Sequence, residues 1–324
     1  MKTYLFTTIL LISIAIIYIK IAEHFNIVDK PNHRSSHTEP VIRGAGVIFY
    51  LAVIIWFFFS GFELPFLISG LSIIAVVSYI DDLKTLSSKT RLIFQFIAIL
   101  LVIYQLLMLS EFPYWLIPVL LIVGVGFINT FNFMDGINGI TGIYSLVIIL
   151  GLYIINNSEE ILDERLLTFL IISILIFGFF NFRKKARFFS GDIGSISLAV
   201  VLFFLIAFFS LKLESPLIIL LVSVYLSDAV LTIFYRKYIG EKITEAHRHH
   251  IYQKFTDLKK FPHLRTALIY GAFQGLILIV IISNYKADLI FQIILFSIVV
   301  IILIATYLIL FKRLKKTPVK SSKK

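Results

Sequence analysis

The chain has no cysteine. That excludes a disulfide framework, a haem-thiolate centre and any metal site built on thiolates. Charge is nearly as scarce: Asp, Glu, Lys and Arg make up 15% of the 324 residues, while 59% are apolar. Soluble globular chains carry about a quarter charged residues, so an ordinary water-soluble domain is excluded. No Gly-x4-Gly-Lys-Ser/Thr run occurs, which removes an ATP site of the P-loop type.

What the sequence has in quantity is apolar residues in long blocks. Between polar breaks they cover 4–22, 44–60, 65–80, 92–109, 114–134, 139–156, 166–181, 193–211, 216–235, 266–283 and 289–311. A transmembrane helix takes about 20 residues, so eleven use roughly 220 and leave room only for short loops. The expected fold is all-α, a polytopic integral membrane bundle of about 11 transmembrane helices. Only Lys2 precedes the first block and no small-residue cleavage site follows, so it reads as a retained span rather than a signal peptide. The expected organisation is a single membrane domain over 1–311 with its chemistry on the loops 23–43, 81–91, 135–138, 182–192 and 236–265, followed by a basic tail, 312–324.

The 30 Lys and Arg outnumber the 19 Asp and Glu, a formal charge of +11. Those loops and the tail hold 25 of the 30; the N-terminus and loops 61–64, 110–113, 157–165, 212–215 and 284–288 hold 4, and Lys20 ends the first span. The positive-inside rule makes the basic set cytoplasmic, with the N-terminus outside and the C-terminus inside. Trp56 and Trp115 then fall near the outer boundary, where interfacial rings are common. Most of the positive charge is therefore topology. The tail, with Lys312, Arg313, Lys315, Lys316, Lys320, Lys323 and Lys324, faces anionic membrane lipids. Nucleic acid is a poor partner for a patch lying against a bilayer.

An acid at the centre of a membrane span costs ~2.5–3.5 kcal/mol, so acids at span ends need a reason. Asp81 and Asp82 close the third span, Asp135 closes the fifth, Asp192 opens the eighth and Asp228 lies in the inner half of the ninth. All fall on the cytoplasmic side, as do His24, His33, His37, His247, His249, His250 and His263. Clustered carboxylates against a basic surface suit a hard cation such as Mg2+, which takes oxygen ligands and bridges phosphates. Lys, Arg and His would hold the rest of a polyphosphate.

Four stretches carry the chemistry. Asp81-Asp82 alone reads equally as a helix end paired with Lys84, Lys89 or Arg91, and Thr85 at the fifth position excludes a prenyl-synthase motif. In Asn129-Thr-Phe-Asn132-Phe-Met-Asp135-Gly136-Ile-Asn138-Gly139-Ile-Thr-Gly142 the polar groups recur every three residues, on one side of a helix end. Its glycines allow a turn and a close approach to a ligand; a polar helix–helix seam explains the glycines but not three amides and an acid. The downstream Arg and paired Asp of a CDP-alcohol phosphotransferase are missing. Phe188-Phe189-Ser190-Gly191-Asp192-Ile193-Gly194-Ser195 either presents Asp192 to a metal, with Ser195 and backbone N–H groups toward phosphate, or only caps a helix. His247-Arg248-His249-His250-Ile-Tyr252-Gln253 suits phosphate contact better than zinc. The first inner loop, with His33-Arg34-Ser35-Ser36-His37 and Arg43-Gly44-Ala-Gly46, reads as a minor contributor, and Asp228 pairs with either Arg236 or a loop amide.

Taken in order from Asp29 to Gln253, these motifs resemble the polyprenyl-phosphate N-acetylhexosamine-1-phosphate transferases, glycosyltransferase family 4. The branch they most resemble initiates O-antigen with UDP-GlcNAc and undecaprenyl phosphate. Similarity to phospho-MurNAc-pentapeptide translocase is looser, since Arg248 interrupts the histidine run. The resemblance implies sugar-1-phosphate transfer to undecaprenyl phosphate with release of UMP, requiring Mg2+ or Mn2+ in its place, in a bacterial inner membrane; a homodimer is compatible with it. It also implies Asp192 as main metal ligand, and Asp81 and Asp82 as further ligands acting on the lipid phosphate or as base. Asn129, Asn132, Asp135 and Asn138 would serve the nucleotide-sugar, and Arg43, Ser195, His247, Arg248, His249 and His250 would bind substrate. A transporter would place acids near the midplane of broken helices, and a lipid-binding scaffold would not need the Asn/Asp/Gly motif.

Because the chain lacks cysteine, single cysteines placed beside Asp81, Asp135 and Asp192 can be labelled one at a time. All three are expected to react from the same side of the membrane; labelling from opposite sides would dissolve the common reaction centre.

Overall fold

The computed structural model describes residues 2–29, 39–242 and 247–314. Its helices are α1 (Lys2–His24), α2 (Val47–Phe59), α3 (Pro65–Leu83), α4 (Ser88–Leu109), α5 (Leu116–Met134), α6 (Ile140–Glu159), α7 (Glu164–Asn181), α8 (Gly191–Lys212), α9 (Ser223–Tyr238), α10 (Ile251–Asp257), α11 (His263–Asn284) and α12 (Leu289–Arg313). Every apolar block is helical. Ten helices are long and apolar enough to cross a membrane, and the remaining block forms the shorter apolar α2. The protein is a polytopic helical membrane protein. The basic tail beyond Leu314 and the segment from His33 to His37 lie outside the described residues.

Three departures from the hydropathy reading have local causes. The second block was expected from residue 44, but Gly44 to Gly46 are drawn into backbone pairing and α2 starts at Val47. The ninth block opens as a 3-10 turn, Pro216–Val222, before α9. The Gln274 amide of α11 spans that change of pitch, donating to the Leu220 carbonyl at 2.9 Å and accepting from Tyr144 Oη at 2.7 Å. Trp56 is enclosed by protein rather than exposed. It is fully buried and its indole N–H donates to Asp163 at 2.8 Å, whereas Trp115 is exposed.

The bundle is built around α8. This helix carries no charge between Asp192 and Lys212, and 89% of its most apolar stretch is buried, against 6% for α12. It packs on α2, α3, α4, α5 and α6. Such a helix brings whatever stands at its start to the middle of the bundle's end. There α2 and α8 meet through glycine: a Cβ on Gly194 would stand 2.7 Å from the Cα of Gly46.

A small antiparallel hairpin, β1 (Val28–Asp29) with β2 (Val41–Ile42), extends this contact. Ile42 bridges Phe188, the Phe189 N–H donates to the Ile42 carbonyl at 2.7 Å, and Gly46 N–H donates to Ser190 at 2.9 Å. The stretch between α1 and α2 that carries this hairpin is thereby fastened to the segment that leads into α8.

Valine at Gly46 or Gly194 is expected to cost about 1–3 kcal/mol or more through overpacking against backbone. The check is the thermal midpoint of the detergent-solubilised protein, with valine at the open position Gly126 as the neutral control.

Candidate active site

The end of α3, the start of α4, the end of α5, the start of α8 and the loop after β2 converge at one end of the bundle. Asp82 is the centre. Its side chain is fully enclosed, and its two oxygens accept the N–H groups of Asp192 and Ile193 at 2.9 and 3.1 Å. Arg43 donates to the same carboxylate at 2.7 Å and stands 3.5 Å from Asp192. Arg91 lies 3.3 Å from Asp81 and 3.9 Å from Asp192. Of the basic partners weighed for Asp81, Arg91 is the one that meets it. Gly191 makes the close fit at Asp82 feasible: its φ is +70°, and a Cβ there would stand 2.8 Å from Gly44.

Asp135 joins this group through Ser190, whose hydroxyl donates to its carboxylate. Burial pushes the Asp135 carboxyl up from its ordinary range, against the hydrogen bond from Ser190. Asn132 accepts from Ser195 Oγ at 3.2 Å. Ser195 is itself fully buried, and Asp82 already occupies the first N–H groups of α8. Of the two readings of this turn, the contacts seen here are those of a capped helix start, with Ser195 and the N–H groups of Asp192 and Ile193 turned toward protein groups. Asn129 is in a helix–helix seam, donating to Gln95 of α4 at 2.9 Å. Asn138 is buried and donates to the Arg183 carbonyl at 3.1 Å. Gly136, Gly139 and Gly142 face Tyr252, Leu264 and Phe182, so their close contacts are with the protein itself.

The histidines form a second group. His247 and His250 rings are 4.9 Å apart, His249 meets Glu241 at 2.9 Å, and Arg248 makes a two-pronged pair with Asp257 at 2.9 Å. Tyr252 ties this group to the first, its hydroxyl donating to the Phe133 carbonyl at 3.0 Å. Asp228 resolves in favour of the loop amide: both oxygens accept the Ile251 N–H, while Arg236 pairs with Glu241.

Among the described residues no three of His, Asp and Glu gather in a ready metal site. The donor chemistry nonetheless fits Mg2+. Asp81 and Asp192 both face the same Arg91 nitrogen, at 3.3 and 3.9 Å, giving two neighbouring carboxylates. Mg2+ is usually held by one or two carboxylates, with water and substrate phosphates completing the shell. Asp82 already accepts from two N–H groups and Arg43, which leaves it fewer free acceptor positions for a metal than Asp81 or Asp192.

Residues 64–210 match the family described as Glycosyl transferase family 4. That segment runs from the start of α3 through α8 and includes Asp81, Asp82, Asp135 and Asp192. The chain is 26% identical over 273 residues to the probable undecaprenyl-phosphate N-acetylglucosaminyl 1-phosphate transferase of Bacillus subtilis strain 168, covering 78% of this chain and 75% of that one. It is 34% identical over 129 residues to the phospho-N-acetylmuramoyl-pentapeptide-transferase of Streptococcus suis strain 05ZYH33, covering 38% of this chain and 37% of that one. The protein of the same name from Streptococcus gordonii is 36% identical over 135 residues, with 39% of each covered. The enzyme class implied by the motifs, a transferase, is the class of the family and of these relatives.

Within residues 64–210, nothing in the sequence marks Ser190 as the link to Asp135, and Arg91 stands out only as a neutralising partner. Outside them, Tyr252 and Glu241 are likewise unmarked. Their signal was present only as neighbours of chosen residues, since a Ser, Tyr or Glu beside a motif is not costly enough to stand out.

Burial, with the neighbouring His250, Arg236 and His249, pushes the His247 imidazole down to about 4. A histidine favoured as neutral in the folded state contributes stability fully above its ordinary value of about 6.5 and loses it as pH falls toward its folded value. The thermal midpoint is expected to drop between pH 6.5 and 4, and to drop less in His247→Asn over the same range. Equal pH dependence in both forms would contradict a neutral, half-buried His247.

Proposed function

We propose that this transferase moves N-acetylhexosamine-1-phosphate, GlcNAc-1-phosphate in the first instance, from a UDP-sugar to undecaprenyl phosphate and releases UMP. The reaction would take place with Mg2+ at the cytoplasmic face of a bacterial inner membrane, the N-terminus outside, and begin a lipid-linked surface glycan such as O-antigen. The observation that carries this reading is the meeting of Asp81, Asp82, Asp192, Arg43 and Arg91 at the start of the central helix. The relative matched over most of both chains, whose name specifies this reaction, supports it.

In this reading an oxygen of the lipid phosphate attacks the phosphorus that bears the sugar, and the bond from that phosphorus to the UMP oxygen breaks. One phosphoanhydride is lost and one is made, so no ATP is needed. A phosphate monoester has a second pKa of about 6 and is already ionised near neutral pH, so the attack needs orientation more than a strong base. Phosphoryl transfer depends mainly on positioning and charge neutralisation. Arg43 and Arg91 supply fixed positive charge beside the carboxylates. Asp81 and Asp192 would hold Mg2+, which when bound acts as a Lewis acid on the diphosphate. Asp82 orders the start of α8 and the Arg43 side chain. Asn132 and Asp135 would face the nucleotide-sugar, and the histidine group would lie against its diphosphate.

Radiolabelled UDP-GlcNAc incubated with membranes and undecaprenyl phosphate is expected to label lipid only when Mg2+ is present. Asp192→Asn and Asp82→Asn are each expected to lower the rate at least about 100-fold, the scale for removing a preorganised charged group. Undiminished activity in both would remove this site assignment. The pentapeptide-transferase names of the shorter matches favour a second donor. UDP-MurNAc-pentapeptide therefore belongs in the same assay, and its exclusive use would replace GlcNAc in the proposal.

A further inference from the structure

Asp228 has no part in the transfer as proposed, yet it collects more hydrogen bonds than any other carboxylate among the described residues. It is 3% exposed. Both oxygens accept the Ile251 N–H, at 3.0 and 3.1 Å, and Tyr252 N–H lies at 3.5 Å. Oδ1 accepts from the Thr232 hydroxyl at 3.2 Å and Oδ2 from the Tyr270 hydroxyl. Oδ1 also stands 3.3 Å from Nδ1 of His250, which is 2% exposed.

A carboxylate in a shell of donors is an acceptor, so the ring nitrogen facing it carries the proton. The opposite nitrogen, Nε2, is buried and has no hydrogen-bond partner among the described residues. Buried polar atoms are ordinarily paired, so this one marks a place where a partner arrives. The ring has little freedom to turn away. His250 caps α10, whose first N–H groups Asp228 holds, and Tyr252 packs nearly parallel to it at 5.6 Å. Tyr252 in turn bonds to the end of α5 beside Asp135.

We infer that Asp228 is a positioning residue for the transfer: it fixes His250 with Nδ1–H turned inward, so that Nε2, left as a bare acceptor, is the atom this loop presents to a hydroxyl or amide N–H donor on the sugar or ribose of the nucleoside diphosphate sugar. The inference rests on the proposed function for its substrate, and on the ring geometry alone for its tautomer.

The test begins with nitrogen-15 histidine spectra of the full chain in lipid bilayers, the His250 signal assigned by its loss in His250→Gln. The expected wild-type signal has a protonated Nδ1, and its Nε2 shift moves when UDP-GlcNAc is added. In Asp228→Asn the amide can turn a donor toward the ring, and Nε2 is expected to take the proton. A wild-type ring with bare Nδ1, or one unaltered in Asp228→Asn, overturns the inference. In the transferase assay, Asp228→Asn and His250→Gln are each expected to lower kcat/KM about 10- to 100-fold, the usual cost of losing the partner that orients a working imidazole. The double variant is expected to be no worse than the poorer single one. Additive losses would mean that Asp228 is only a structural clamp, which also overturns it. If Asp228→Asn does not accumulate, Tyr270→Phe thins the same shell and the wild-type spectrum still decides the tautomer. Absence of any GlcNAc transfer by the wild type would sink the proposed function while leaving the nitrogen shifts to judge Asp228.

Discussion

The carboxylate of Asp82, closed off from solvent, is shared between two N–H groups of α8 and the guanidinium of Arg43. An enclosed carboxylate is costly unless paired and hydrogen-bonded, and breaking such a set by removing one member leaves the others stranded. A helix start also presents unpaired donors and a partial positive charge. Asp82 satisfies both needs at once, from another helix. Three stretches distant in sequence therefore agree on one geometry, and Asp81, Arg91 and Asp192 take their places around it.

The same device recurs at α10, where Asp228 reaches out of the ninth span to hold the helix start that carries the histidines. In both cases a candidate site residue stands at the start of a helix while a carboxylate from a different helix receives the backbone there. Side chains on loops gain in this way the precision of the bundle beneath them. Backbone pairing of residues 42–46 with 188–190 does the same for Arg43.

Much of this was legible in the sequence because apolar runs and acids at their ends have few alternative explanations in a bilayer. All eleven blocks are helical, and of the five acids predicted to share a face Asp81, Asp82 and Asp192 gather with Arg43 and Arg91 at the start of α8, Asp135 bonds the adjoining Ser190, and Asp228 stands apart at α10. What escaped was whatever depends on a partner distant in the chain. Asn129 reads as part of a polar motif until Gln95 is seen opposite it, and nothing near Trp56 in the sequence points to Asp163, which accepts its N–H. Ser195 stands in a phosphate-like turn, but its hydroxyl faces Asn132. The short α10 is too brief to leave a periodic signal, and a one-dimensional pattern cannot tell an apolar block that starts helical at its first residue from one whose glycines are taken by a neighbouring strand.

The central position of α8 governs the order in which the protein can be completed. Chain synthesis delivers Arg43, Asp81 and Asp82 well before Gly191, so the helices that precede α8 are made while the groove they will line has no filling. Until the eighth arrives, those charges have no helix start to grip and the hairpin has no Phe188 to bridge. Assembly of the reactive end is thus deferred by the wiring of the chain itself, and a ribosome stalled before α8 would leave behind a membrane protein without a working face.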